Sequence, residues 1–115
     1  MPRTNINSLS LFLAKIALYA RYGYQRYVVR EIPEKKDLEV VDIKIMKCYE
    51  VTFNRWRRGQ RKKQGLANVI YLRFKNTFVL LATDGKHDSF DKLDWKHLKE
   101  HPIIFSGYSV RVKNN

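Results

Sequence analysis

Apolar residues recur every three or four positions over residues 9–21 and again over residues 37–49. This spacing places them on one face of a helix, so it predicts two amphipathic helices. Ser8 can cap the first helix, and Gly23 suits the turn that follows it. Pro33 separates this region from the second helix.

Runs rich in β-branched and aromatic residues predict strands elsewhere. They cover residues 24–32, 51–57, 66–74, 77–83 and 103–112. The run over 77–83 is apolar on both faces, which is typical of a central strand. A more polar stretch over 88–100 predicts a third helix, which Pro102 would end.

In chain order these elements read α-β-α-β-β-β-α-β, and residues 1–115 have the length of a single domain. We therefore expect an α+β fold in which two or three helices pack on a single layer of mainly antiparallel sheet with about five strands. Residues 51–83 would form a three-stranded meander. Its first hairpin, with a tip at residues 55–65, would protrude from the sheet.

Basic side chains are concentrated at that predicted tip. The chain of 115 residues has 23 Lys and Arg against 11 Asp and Glu, a net charge of +12. Residues 51–75 carry eight basic and no acidic side chains, whereas residues 31–50 are slightly acidic. The basic side chains at the tip are Arg55, Arg57, Arg58, Arg61, Lys62 and Lys63. Such a cluster creates the local positive potential that polyanions seek.

A basic hairpin of this kind is typical of nucleic-acid binding, because Lys and Arg neutralise phosphates and release counterions. Trp56 lies inside the cluster and could stack on a base. Four basic residues on other strands would extend the footprint: Arg26, Arg30, Arg73 and Lys75. The plainer alternative is a solvated tip with Trp56 folded back on the sheet. Phosphate contacts carry no sequence information, so DNA or RNA, single or double strand, stay open.

Anionic lipid is the competing polyanion, and the sequence argues against it. No apolar run approaches the roughly 20 residues of a membrane-spanning helix. The basic cluster is also not predicted on an amphipathic helix with an apolar face for insertion. We therefore expect no membrane partner. The single Cys48 excludes an intramolecular disulfide and fits a reducing, cytoplasmic location.

Two short patterns suggest metal chemistry, but each lacks part of a site. His97, Glu100 and His101 spell H-x-x-E-H, which needs a helix and a third ligand. Pro102 follows at once. Asp84, Asp94 and Lys96 resemble a minimal metal-dependent nuclease pattern, yet the last two fall in a predicted helix rather than a strand. We expect no metal and no cofactor.

Tyr22, Tyr24 and Tyr27 are candidates for a tyrosine nucleophile, but the histidines do not form the metal site such enzymes need. The sequence therefore predicts a small non-catalytic nucleic-acid-binding protein. One alternative is a DNA- or RNA-processing enzyme, a nuclease or a strand-transfer or nicking factor, with the hairpin as substrate clamp. Another is an interaction subunit that binds an acidic protein or a partner in a nucleoprotein assembly.

Overall fold

The chain folds around a four-stranded antiparallel sheet. The computed structural model describes residues 6, 8–52, 54–105 and 108–110. The strands of the sheet are β1 (Arg26–Glu31), β2 (Val69–Phe74), β3 (Thr77–Ala82) and β4 (Lys96–His97), in the order β2-β3-β1-β4. A separate antiparallel hairpin consists of β5 (Ile103–Phe105) and β6 (Tyr108–Val110). Helices together with an antiparallel sheet confirm the predicted α+β class.

The first two helices lie where the apolar spacing predicts them. Helix α1 covers Leu9–Arg21, and the Ser8 hydroxyl caps it by accepting from the Leu11 N–H at 3.3 Å. Helix α2 covers Leu38–Cys48, and the Asp37 carboxylate accepts from the first backbone N–H groups of that helix. Each cap satisfies donors that have no partner inside the helix.

Apolar side chains cover both faces of the sheet. On one face, Phe12 and Ile16 of α1 belong to a core with Leu72 and Leu81 of the sheet. On the other face, α2 packs on a second buried group that includes Tyr71. Strand β3 pairs with β2 on one side and β1 on the other, so the prediction that residues 77–83 form a central strand is confirmed.

A buried polar cluster fastens α2 to the second face. Asp42 of α2 accepts from the Tyr71 hydroxyl at 2.5 Å and from Arg73 Nε at 2.7 Å and Nη2 at 2.9 Å. Arg73 is only 3% exposed. A buried charge is tolerated when its partners satisfy it, as they do here. Asp42, which has no evident partner in the sequence, is therefore the ion-pair partner of Arg73 on β2.

The predicted helix over residues 88–100 is wrong for most of its length. A short 3₁₀ helix covers Asp88–Asp91, and the chain then enters β4. The Trp95 indole N–H donates to the Ser89 carbonyl at 3.2 Å, and Trp95 packs with Phe90 over the sheet. Packing of these aromatic rings therefore outweighs local helix propensity. The predicted strand over 103–112 is divided into β5 and β6, and its last two residues lie outside the described part.

Candidate nucleic-acid interface

The basic cluster lies on a helix, and the prediction of a strand over residues 51–57 leading to a hairpin tip is wrong. Helix α3 covers Arg55–Lys63. The Asn54 side chain caps it by accepting from the Arg57 N–H at 3.0 Å. Gly59 fits inside the helix, and Gly65 beyond its end has a φ of 76°. An N-cap followed by Arg, Gln and Lys, all good helix formers, explains why the segment forms a helix.

Three hydrogen bonds from the side chains of Arg61 and Asn68 hold α3 against the rest of the protein. Arg61 donates to the Glu50 carboxylate at 2.6 Å and to the Ala67 carbonyl at 2.8 Å. The Asn68 side-chain amide donates to the Arg58 carbonyl at 3.0 Å. The side chain of Arg61 is only 17% exposed. Arg61, predicted to contact phosphate, is therefore the residue that attaches the helix.

The remaining cations of α3 face solvent. Arg55, Arg57, Lys62 and Lys63 are exposed, and Arg58 is half-buried. Within the described residues, the ion pairs of the chain involve none of these five side chains. Trp56 is 71% exposed, so the alternative in which its ring folds back on the sheet is wrong. An exposed indole between unpaired cations is available to a ligand.

Two grooves run along opposite sides of α3. The α1–α3 groove has a volume of about 700 Å³ and lies between α3 and the end of α1. Its lining includes Tyr19, Tyr22, Arg55, Arg58, Lys62, Asn68 and Asp84. The α2–α3 groove has a volume of about 600 Å³, and its lining includes Trp56 and Arg57. Neighbouring basic residues of α3 therefore face different grooves.

Aromatic rings form one side of the α1–α3 groove. Tyr22 is 68% exposed, and the Tyr19 ring meets Tyr24 edge to face with centroids 5.4 Å apart. Burial raises the pKa of Tyr19, and the positive charge of Arg58 acts in the opposite direction. The hydroxyl of Tyr19 therefore lies within the electrostatic reach of α3. The sequence places Tyr19 on the first helix and Tyr22 just after it, but it gives no signal that this helix ends beside α3.

The four basic residues outside α3 do not form one footprint with it. Arg73 is buried against Asp42, so its predicted contact with phosphate is wrong. Lys75 follows β2 at the end of the strand away from α3, about 20 Å along the strand from Asn68. Its amine lies over the Phe74 ring. Arg30 is level with Arg73 across the sheet, so it also lies at that far end.

Arg26 lies at the other end of β1, level with Ala82 and Val69 across the sheet. Its Nε is 3.2 Å from Asp84 Oδ1, and its guanidinium lies over the Phe90 ring. Because Asp84 lines the α1–α3 groove, Arg26 offsets the negative charge of the one carboxylate among the lining residues. Of the four outer cations, it is the one next to the helix.

The H-x-x-E-H pattern does not form a metal site within the described residues. The described residues contain no group of three His, Cys, Asp or Glu side chains able to hold a metal ion. His97 lies on β4, and its Nδ1 accepts from the Lys99 N–H at 3.2 Å. The H-x-x-E-H spacing therefore does not place its residues on a helix. Lys96 lies on β4 rather than on the predicted helix, with Asp94 just before the strand.

The tyrosines considered as nucleophiles differ in accessibility. Tyr24 and Tyr27 are buried, and the Tyr27 hydroxyl donates to the His101 carbonyl at 2.7 Å. Tyr22 is exposed in the α1–α3 groove. Two of the histidines have side-chain partners: His87 contacts Ser89 and the Tyr49 carbonyl, and His97 accepts from the Lys99 N–H. Basic and aromatic side chains line the groove around Tyr22, and such a lining suits contact with an anionic ligand that carries rings.

The helical form of the basic cluster changes the comparison with a lipid surface. Helix α3 contains one large apolar residue, Trp56, so it lacks the apolar face that interfacial helices insert. Among the described residues, no helix is long and apolar enough to cross a membrane. Comparison with protein-family models, with curated proteins and with solved structures gave no match.

Proposed function

We propose that the protein binds nucleic acid through α3 without catalysis of its own. The observation that carries the proposal is a nine-residue helix with an exposed indole and five cations that have no ion pair among the described residues. Repulsion among these five cations contributes nothing to the stability of the folded protein. A bound polyanion would neutralise them, and each neutralised phosphate would release counterions.

Arg61 is left out of this count because Glu50 already neutralises it. The five remaining cations can neutralise about five phosphates, so the logarithm of the association constant should fall against the logarithm of salt concentration with a slope of roughly −4. Trp56 adds a contribution that is independent of salt, since an exposed ring can stack on a base. The binding free energy would therefore have a salt-dependent part from the phosphates and a salt-independent part from stacking on Trp56.

Fluorescence anisotropy with labelled DNA and RNA at several salt concentrations tests the proposal. Arg55→Gln combined with Lys62→Gln should weaken binding at low salt and make the slope shallower by about 2. Lys35→Gln combined with Lys36→Gln is the matched control. It removes the same charge from an exposed turn that follows the far end of β1.

The control pair should leave both affinity and slope close to those of the parent protein. Absence of binding at low salt would contradict the proposal. So would equal losses in the two double variants, because net charge alone would then account for the affinity. Incubation of the labelled strands with Mg²⁺ or Mn²⁺ should leave them intact, and metal-dependent cleavage would favour the enzymatic alternative.

A further inference from the structure

We infer that the α1–α3 groove holds an unpaired nucleic-acid strand, with bases stacked on the aromatic wall formed by α1 and phosphates on the wall formed by α3. The inference rests on the proposed function and narrows its ligand to single-stranded nucleic acid. It makes Tyr22 a binding residue, although Tyr22 is not among the basic cluster found in the sequence.

The cations of the α3 wall form a row along the groove. Arg55, Arg58 and Lys62 are three and four residues apart, so they lie on one side of the helix. With a rise of 1.5 Å per residue, the row spans about 10.5 Å of the helix axis. A row parallel to the groove can contact consecutive phosphates of one strand that lies in it.

The opposite wall offers ring faces. Tyr22 is largely exposed at the end of α1, and Tyr19 lines the groove one turn before it. Stacking on an aromatic side chain requires a free base face, which a single strand has and a duplex covers. A duplex would therefore use the cations of α3 but leave the exposed ring of Tyr22 without a role.

The floor of the groove contains an unsatisfied acceptor. Asn68 is 5% exposed, and its Oδ1 has no hydrogen-bond partner among the described residues, while its Nδ2 is engaged by the Arg58 carbonyl. Buried polar atoms in native proteins are nearly always paired. Asn68 therefore brings a side chain with unused hydrogen-bonding capacity to the lining of the groove.

The charge balance of the groove agrees with an anionic ligand. Three cations line it against one carboxylate, that of Asp84, and Arg26 pairs with that carboxylate from outside the lining. An acidic protein segment would also match this charge. It would, however, offer few planar groups to Tyr19 and Tyr22, whereas every nucleotide carries both a phosphate and a ring.

Anisotropy titrations with labelled oligo-dT and oligo-rU of about 12 nucleotides, and with a duplex of equal length, test the inference. Both single strands should bind more tightly than the duplex at the same salt concentration. Tyr22→Ala should weaken single-strand binding about 5- to 100-fold, whereas Tyr22→Phe should retain it. A difference between the two oligonucleotides would assign DNA or RNA as the preferred strand.

Lys62→Gln and Lys63→Gln form the matched charge control. Both residues lie in the last turn of α3 and carry the same charge, but only Lys62 is among the residues that line the groove. Lys62→Gln should weaken single-strand binding severalfold more than Lys63→Gln. Circular dichroism should show an unchanged fold for the Tyr22 variants, because the ring is exposed.

The possible failures are distinguishable. Duplex bound as tightly as single strand, with no effect of Tyr22→Ala and equal effects of the two lysine variants, would overturn the inference while the proposed function stands. Absence of binding to all three probes at low salt would overturn both.

Discussion

The guanidinium of Arg73 and the carboxylate of Asp42 form a two-point ion pair inside the protein. Arg73 Nε lies 2.7 Å from Asp42 Oδ1, and Nη2 lies 2.9 Å from Oδ2. The pair joins β2 to α2 across 31 positions of the chain. The sequence correctly places Arg73 on a strand, but it does not show that this side chain faces α2 rather than solvent.

Asp42→Asn should strongly destabilise the protein. The substitution keeps the shape of the side chain but leaves the Arg73 charge buried and unpaired, a loss of about 3–5 kcal/mol. Urea denaturation measures the free energy of unfolding. Asp94→Asn is the control, because Asp94 is exposed and should change stability little. Equal effects of the two substitutions would show that the buried pair contributes nothing specific.

Stability should fall as the pH rises above about 10, the ordinary pKa of tyrosine. Burial, then the hydrogen bond to Asp42 and its charge, raise the pKa of Tyr71, and burial also raises the pKa values of Tyr19, Tyr27 and Tyr49. The unfolded chain loses these protons first. The stabilisation is therefore complete below about pH 10 and is lost as the pH rises toward the folded pKa values.

Tyr71→Phe should cost about 1–3 kcal/mol at neutral pH because Asp42 loses a hydrogen bond. It should also reduce the dependence of stability on pH above about 10, since the most strongly shifted phenol is gone. Urea denaturation at several pH values compares the two slopes. Parallel slopes for the parent and Tyr71→Phe would contradict the assignment of this dependence to Tyr71.

Gly59→Ala should stabilise the protein by about 0.4–1 kcal/mol, because Gly59 lies inside α3 and an added Cβ meets nothing within 4 Å. Gly65→Ala has equal space but should destabilise, because Gly65 has a φ of 76°. Thermal unfolding of the two variants gives the signs. A hairpin turn at Gly59 that required a positive φ would instead make Gly59→Ala destabilising.

Arg61→Gln and Lys62→Gln should separate attachment of α3 from binding. Arg61→Gln removes the contacts with Glu50 and Ala67, so it should lower the free energy of unfolding by about 1–3 kcal/mol. Its effect on the salt slope of nucleic-acid binding should be small. Lys62→Gln should leave stability unchanged and make that slope shallower by about 1. Similar salt slopes for both variants would mean that Arg61 also contacts phosphate.

The elements with a clear apolar pattern are those that the sequence predicts well. Helices α1 and α2 carry apolar residues at helical spacing, and strands β1, β2 and β3 are runs rich in β-branched and aromatic residues. Helix α3 carries no such stripe. Its glycine suggests a turn, and the signal for a helix is the polar cap Asn54, which does not outweigh the neighbouring β-branched residues.

Within the candidate site, too, the sequence predicts local features and misses those that depend on contacts between distant residues. The sequence locates the cations of α3 and the exposed Trp56, because both are local facts of composition. It does not distinguish Arg61 from its neighbours, since that difference depends on Glu50 and Ala67. Nor does it identify Tyr22 as part of a groove, because the groove exists only where two helices far apart in the chain meet.

Glu50 has a left-handed backbone, with a φ of 54°, directly after the cap of α2, where glycine is the ordinary residue. Its carboxylate is also the partner of Arg61. Position 50 is therefore under two opposing demands. Glycine would relieve a backbone cost of about 1–2 kcal/mol but would remove the carboxylate that pairs with Arg61, whereas a long acidic side chain keeps that ion pair at the expense of local strain. Few amino acids satisfy both, so the ion pair that joins α3 to the end of α2 depends on a single exposed residue that tolerates a left-handed backbone.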